Sequence, residues 1–267
     1  MRIIDQGSGT PVVLVPGIQG RWEWMRPTVE ALARRCRVLT FSLADEPTSG
    51  AAFDAADGFA SYLRQIADAL DARGLQHAAI CGISYGGLIA AAFAARMPER
   101  VSALVLMSAI PPSWRPDRRV RLLLKAPRLL SPLFCINSLR LLPEIVAARG
   151  LAGGLAFAAV HVVRVLAHPF SPRLMAQRVR RLDGLDLTPE LARVHVPVLV
   201  LTGEAGLDRV VPVEHTREYL RLWPHAAEGV VPRTGHLAPV IRPDLFAALV
   251  APFAGRSGAG AERRHVV

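Results

Sequence analysis

The stretch "ICGISYGGLIA", residues 80–90, joins an apolar run to a helical pattern through a serine flanked by glycines. Glycine tolerates backbone angles and close contacts that other residues resist, so the cluster predicts a sharp turn between a strand and a helix. Such a turn exposes the side chain at its apex, here Ser84, at the positive end of the following helix. On the motif alone, a purely structural serine in a glycine-rich turn is the alternative.

Apolar, β-branched runs alternate with helical patterns along most of the chain. The alternation predicts an α/β fold, with an open, mostly parallel sheet flanked by helices on both faces. From 111 to 187 no strand-like run occurs, and the sequence predicts a helical insertion there. The corresponding core comprises 1–110 and 188–255, and 256–267 is predicted to be a flexible tail. The predicted strands are 11–17, 36–43, 77–83, 101–109, 196–203 and 226–232.

A serine hydroxyl needs a base to become a nucleophile, and eight histidines are available. We predict His236, in "VVPRTGHLAPV", because it follows the last predicted strand on a short loop at the same edge as Ser84. The histidine in turn needs an acid. Asp208, in the loop after the strand 196–203, is the first choice, and Glu204 in the same loop is the alternative.

Acyl transfer also needs donors for the developing oxyanion. We predict the backbone N–H groups of Tyr85, at the start of the helix, and of Ile18, in "VVLVPGIQGRWEW" after the first apolar run. For the loop that contains Ile18, an ordinary strand-to-helix turn is the alternative. The residues predicted to line a substrate pocket are Gly17, Trp22, Trp24, Trp114 and Leu237. For the three tryptophans, ordinary packing is the alternative.

The net charge of +10 is concentrated in one segment of the 267 residues. Residues 111–182 hold thirteen basic and two acidic residues, whereas the rest of the chain holds nineteen basic and twenty acidic ones. Without aromatic interleaving or a known binding fold, this pattern argues against nucleic-acid binding. Either the leucines of this segment pack on the core while its arginines face water, or the segment forms an apolar entrance with weak contact to a membrane surface.

The cysteines and the apolar runs bear on the compartment. Three widely spaced cysteines form neither a disulfide framework nor a zinc pattern, which favours a reducing compartment. His161 and Arg164 interrupt the best membrane-span candidate, residues 150–168, before it reaches the roughly 20 apolar residues required. The start of the chain has no run long enough for a secretory signal. A cytoplasmic protein is therefore predicted.

The motifs together resemble the α/β-hydrolase superfamily over about residues 3–254. "GISYGG" matches its nucleophile turn, "GLDRVVP" its acid loop and "TGHLAP" its histidine loop, in the order Ser84, Asp208, His236. "PGIQG" replaces the usual His-Gly segment of the oxyanion loop. The resemblance implies an eight-stranded, mostly parallel sheet with the insertion 111–187 as a helical cap.

The resemblance also implies chemistry. A serine hydrolase of the carboxylesterase type would cleave an ester-type bond of a small to medium apolar acyl substrate, with no metal or organic cofactor. Acyl transfer and carbon–carbon bond hydrolysis on the same triad stay open, as does a non-catalytic ligand-binding protein of this fold. Neither the acyl group nor the oligomeric state is predicted.

Overall fold

A computed structural model describes residues 1–130 and 138–256. Its seven strands are β1 (Ile4–Gln6), β2 (Pro11–Val15), β3 (Arg37–Thr40), β4 (Ala78–Ile83), β5 (Val101–Met107), β6 (Val198–Thr202) and β7 (Ala227–Val230). They form one sheet in the order β1-β3-β2-β4-β5-β6-β7. Strand β1 pairs antiparallel with β3, and all other neighbours are parallel. The predicted mostly parallel α/β sheet is confirmed.

The number of strands differs from the eight that the resemblance implied, since the described residues contain seven. The ten residues before β2 hold β1 and a turn but no second strand. Strand β1 was not predicted, because its three residues include a single apolar side chain, Ile4, and so carry no alternating pattern. Strand β1 forms through its pairing with β3 and not because of a pattern in its own sequence.

Helices cover both faces of the sheet because nearly every residue of the central strands is buried. Alternate side chains point to opposite faces: Val13 and Val15 join one core cluster, and Val12 and Leu14 join the other. The first cluster includes α2 (Ala60–Asp71) and α3 (Tyr85–Arg96). The second includes α1 (Arg26–Ala33) and the last helix, Pro243–Gly255. This two-sided burial explains why the strands read as continuous apolar runs.

The elements described between β5 and β6 are helical. They are α4 (Arg118–Lys125), a 3-10 turn (Ser138–Leu141), α5 (Leu142–Ala167), α6 (Pro172–Arg180) and α7 (Thr188–Leu191). Helix α5 is interrupted at Gly150, where φ is 68° and ψ is 177°. The boundaries of the cap and the core stay a prediction.

The remaining helices are α8 (Val213–Thr216), α9 (Glu218–Leu222), α10 (Ala238–Ile241) and α11 (Pro243–Gly255), with 3-10 turns at Trp22–Met25 and Pro98–Arg100.

The segment Ser138–Ala167 is, within the described ranges, long and apolar enough to cross a membrane by length and composition. The membrane-span candidate of the sequence, residues 150–168, overlaps the second half of this segment, and there His161 and Arg164 interrupt the apolar run. Both side chains are partly buried, since they lie on the face of α5 turned toward the rest of the protein. They therefore do not interrupt the exposed face of the helix.

Two further expectations concern the cysteines and the C-terminal tail. Cys36 and Cys81 are free and buried. Cys135 and the predicted tail beyond residue 256 lie outside the described residues. The expectation of a reducing compartment therefore stays a prediction.

Candidate active site

Ser84 lies at the turn between β4 and α3 in a strained backbone conformation. Its φ of 55° and ψ of −119° are uncommon for a residue with a side chain. A Cβ at Gly82 would collide with the backbone of Gly86, and a Cβ at Gly86 would collide with the carbonyl oxygen of Pro16. The two glycines are therefore required by close packing, and the turn they permit leaves Ser84 at the carboxyl edge of the sheet with 7% of its surface exposed.

Asp208 and His236 meet at the same edge, after β6 and β7. Oδ2 of Asp208 lies 3.4 Å from Nδ1 of His236, at the long end of a hydrogen bond. Its Oδ1 accepts the N–H groups of Val210, at 3.0 Å, and Val211, at 2.9 Å, which fixes the carboxylate. Burial alone would raise the pKa of Asp208, but the His236 ring, the Val211 N–H and the Ser108 hydroxyl outweigh it and hold the pKa below its usual value.

Glu204, the alternative acid, is directed elsewhere. Its Oε1 accepts the backbone N–H of Arg233 at 2.7 Å, and its side chain is exposed. A Cβ at Gly235 would come within 2.7 Å of the Asp208 nitrogen, so the histidine loop and the acid loop pack backbone to backbone. This contact keeps Asp208 beside His236, and the geometry favours Asp208 over Glu204.

Glu144, near the start of α5 in the insertion, binds the histidine loop. This fully buried carboxylate accepts the N–H groups on either side of His236 through Oε2: Gly235 at 2.8 Å and Leu237 at 3.0 Å. Its Oε1 is buried and makes no hydrogen bond. Burial raises the pKa of Glu144 to about 7, although the two N–H groups and His236 partly oppose the shift. The sequence did not predict this role. The only signal for it was that Glu144 is an acidic residue in a segment with thirteen basic residues.

Replacing Glu144 by glutamine is expected to remove a pH dependence of stability. The carboxyl has a higher pKa in the folded protein, about 7, than its ordinary 4.5, so the folded state holds its proton more tightly. The contribution of Glu144 to the free energy of unfolding should thus fall between pH 4.5 and pH 7 and stay constant above that range. Melting temperatures of the wild type and Glu144→Gln, measured from pH 4 to pH 8, should diverge in favour of the variant as pH rises.

Glu144→Ala is the contrasting variant. It leaves two buried N–H groups unpaired, at roughly 1–3 kcal/mol each, whereas glutamine keeps an acceptor for them. Alanine should therefore lower both the melting temperature and kcat, and glutamine should restore most of kcat. Parallel pH curves for the wild type and Glu144→Gln would contradict the raised pKa, and equal kcat in all three proteins would contradict the positioning of His236.

The predicted oxyanion loop is held by Arg178, from α6. This arginine is fully buried, and its Nη1 donates to the carbonyl oxygen of Ile18 at 2.7 Å. Its Nη2 donates to the carboxylates of Asp45 and Glu46, each at 2.7 Å. A Cβ at Gly20 would collide with the guanidinium, so the glycine makes room for it. The insertion thus contacts both the histidine loop and the oxyanion loop, a role the sequence reading did not assign to Arg178.

The other predicted oxyanion residues adjoin Ser84. Tyr85 opens α3, and the first N–H groups of a helix have no partner within it, so this N–H can point at a ligand. A Cβ at Gly17 would lie 3.5 Å from Cβ of Ser84, which brings the oxyanion loop against the serine. Ile18 is partly buried against the core. The predicted donors and the serine thus lie at one corner of the sheet.

The predicted pocket residues are dispersed. Trp22 is buried in a core cluster, and Trp24 donates from Nε1 to the carbonyl oxygen of His168 at 2.9 Å. Trp114 and Leu237 are partly buried against core side chains. Two cavities, of about 590 and 250 Å³, are lined by none of these residues and by no member of the predicted triad. The pocket assignment therefore stays a prediction.

No group of three or more potential metal ligands comes together within residues 1–130 and 138–256.

Comparison with known proteins matches residues 12–249 to the model of the alpha/beta hydrolase family. The chain belongs to the alpha/beta hydrolase family. A putative carbamate hydrolase, RutD, of Azorhizobium caulinodans is 27% identical over 262 residues, covering 93% of this chain and 92% of the relative. Membership and hydrolase-named relatives of nearly full length support an enzyme of this fold.

A further relative and a solved structure align over similar lengths. The pimeloyl-[acyl-carrier protein] methyl ester esterase of Aliivibrio salmonicida is 26% identical over 249 residues, or 90% of each chain. The crystal structure of the enol-lactonase from Burkholderia xenovorans LB400 superposes with a TM-score of 0.76 at 20% identity, covering 94% of this chain and 95% of that one. The structural similarity establishes the alpha/beta hydrolase fold.

Proposed function

We propose that this protein is a serine hydrolase that cleaves a carboxylic ester-type bond of a small to medium apolar substrate through an acyl-enzyme. The observation that carries the proposal is the strained Ser84 turn at the sheet edge where Asp208 contacts His236. A strained turn costs free energy and persists where the surrounding structure enforces it, as the glycine contacts do here. Ser108 also has a positive φ, so the strain alone does not mark a nucleophile; the Asp208–His236 pair at the same edge of the sheet is what a serine with a merely structural role would not need.

The proposed reaction proceeds in two acyl-transfer steps. His236 takes the proton of Ser84, and Oγ attacks the substrate carbonyl while the N–H groups of Tyr85 and Ile18 bind the oxyanion. His236 then returns the proton to the departing alcohol, which leaves an ester on Ser84. Water, deprotonated by His236, attacks this ester and releases the acid and the free serine. Asp208, ionised because of its lowered pKa, stabilises the imidazolium in both steps.

The relatives support an acyl substrate. The names of two of them describe a carbamate and a methyl ester, in each of which a carbonyl carbon is bonded to a heteroatom, whereas a third, 28% identical over 267 residues, is named for a 6-oxo-6-phenylhexadienoate, whose 6-oxo group is a ketone. Acyl transfer and carbon–carbon hydrolysis begin with the same activated serine and are the competing reactions, and a non-catalytic binder is the competing class.

Hydrolysis of p-nitrophenyl esters from acetate to palmitate tests the proposal, together with a fluorophosphonate label located by peptide mass. The expected result is ester hydrolysis with a short- to medium-chain optimum and labelling at Ser84 alone. Labelling without hydrolysis of any ester would contradict the esterase and favour an acyltransferase or a carbon–carbon hydrolase. Absence of both labelling and hydrolysis would favour a binding protein over an enzyme.

A further inference from the structure

Helix α5 presents an unbroken apolar surface to solvent. The ten exposed residues of the segment 151–167 are all alanine, valine or leucine. Within that surface, Leu151, Leu155, Val162 and Leu166 follow helical spacing and form one stripe, roughly 22 Å long at 1.5 Å per residue. Each of the four is at least 55% exposed. We call the ten residues the α5 apolar face. Soluble monomers rarely expose a contiguous apolar surface of this kind unless it binds something.

The opposite face of α5 is fastened to the core. Ile145 and Phe157 pack with Ile241 of α10. Arg149 donates to the carbonyl oxygen of Ile241 at 3.0 Å. Farther along, the His161 ring meets Trp24 edge-on, with 5.3 Å between ring centroids. A helix attached to the protein at several points along its length lies flat on the molecule, so it is placed to contact a bilayer in the interface plane rather than to cross it.

The charge of the insertion indicates what covers this face. Residues 111–187 carry thirteen basic and four acidic residues, a net charge of +9. Eight basic side chains of its described part are exposed against three acidic ones, Asp117, Asp183 and Asp186. The exposed basic residues are Arg115, Arg118, Arg121, Lys125, Arg128, Arg149, Arg173 and Arg180. An exposed apolar face in an insertion with a net positive charge is complementary to an anionic lipid surface.

We propose that the α5 apolar face docks this protein on an anionic membrane surface, with the apolar side chains entering the headgroup region and exposed basic side chains of the insertion other than Arg149 binding lipid phosphates. A second copy of the chain is the weaker fit. A symmetric contact through this face would bring two insertions of charge +9 together, and their repulsion opposes the contact. Docking through the insertion would also bring apolar substrates from the lipid phase to the side of the molecule that contacts the catalytic loops.

Co-sedimentation with vesicles tests the proposal on the full chain. We expect binding to phosphatidylcholine vesicles containing about one-third phosphatidylglycerol, weakened by high salt, and at least about tenfold weaker binding to pure phosphatidylcholine. The double variant Leu155→Asp, Val163→Asp should reduce binding to the anionic vesicles at least about tenfold. Both replaced side chains are 65% exposed, so the fold should survive, and an unchanged melting temperature would verify this.

Val230→Asp, on edge strand β7, is the matched control, because Val230 is an exposed valine outside the insertion. It should bind vesicles like the wild type. Equal binding to neutral and anionic vesicles, or full binding by the double variant, would overturn the proposal. A dimer in light scattering that the double variant dissociates, without vesicle binding by the wild type, would assign the face to a second copy instead.

Discussion

Replacing Ser84 by alanine is expected to lower kcat/KM for the best p-nitrophenyl ester by at least about a thousandfold. The variant keeps the strained turn, since alanine meets the same backbone restriction at φ 55° as serine does. It loses only the oxygen that would form the acyl-enzyme, while His236 and the oxyanion donors stay available to water. The initial rate on the preferred ester and the loss of fluorophosphonate labelling measure the effect.

Ser108 offers a matched control for Ser84. It is also buried, also has a positive φ, of 44°, and follows β5, the strand beside β4. The Ser108 hydroxyl helps to lower the pKa of Asp208 but forms no bond to the substrate in the proposed reaction, so we expect Ser108→Ala to retain activity within about tenfold. A Ser84→Ala protein with wild-type turnover would exclude Ser84 as the nucleophile.

Replacing Asp208 by asparagine is expected to lower kcat by roughly a thousandfold to ten thousandfold with little change in KM. The amide has nearly the shape of the carboxylate, but it cannot stabilise the imidazolium of His236 by charge. An amide NH₂ directed at Nδ1 would also favour the wrong tautomer of the histidine. Steady-state rates of the wild type and the variant on the same ester measure this loss.

Glu204→Gln is the control for Asp208→Asn, because Glu204 is a neighbouring acid in the same loop. Its Oε1 binds the backbone of Arg233, and glutamine can accept that hydrogen bond as well. Its kcat should stay near the wild-type value. A larger loss in Glu204→Gln than in Asp208→Asn would reverse the assignment of the acid. Because members of a triad act as a unit, Ser84→Ala, Asp208→Asn should be about as inactive as Ser84→Ala alone.

The features that were predictable from the sequence depend on neighbours along the chain. The strands β2 to β7 lie within the predicted runs. For β2 to β6 this is because burial on both faces of a parallel sheet requires continuous apolar residues, whereas the edge strand β7 alternates between partly buried and exposed residues. The Ser84 turn was predictable because its glycines lie within three residues of it. The order of the loops after β4, β6 and β7 then brings Ser84, Asp208 and His236 to one edge of the sheet.

Other features were beyond the sequence because their partners are distant in the chain. Glu144 lies 91 residues from Gly235, and Arg178 lies 160 residues from Ile18, so no local pattern links either pair. Strand β1 is formed by its pairing with β3. The choice between Asp208 and Glu204, two acids four residues apart, depended on the packing of Gly235 against the acid loop.

The sequence by itself determined the class of fold and the residues available for chemistry, because periodicity and glycine spacing act over a few residues. Only the tertiary structure decided which loops the insertion holds and which side of α5 faces water. Those outcomes depend on burial, which is the sum of contacts from the whole chain. His161 and Arg164 illustrate the difference: in the sequence they interrupt an apolar run, whereas in the fold they turn inward and leave an apolar surface exposed.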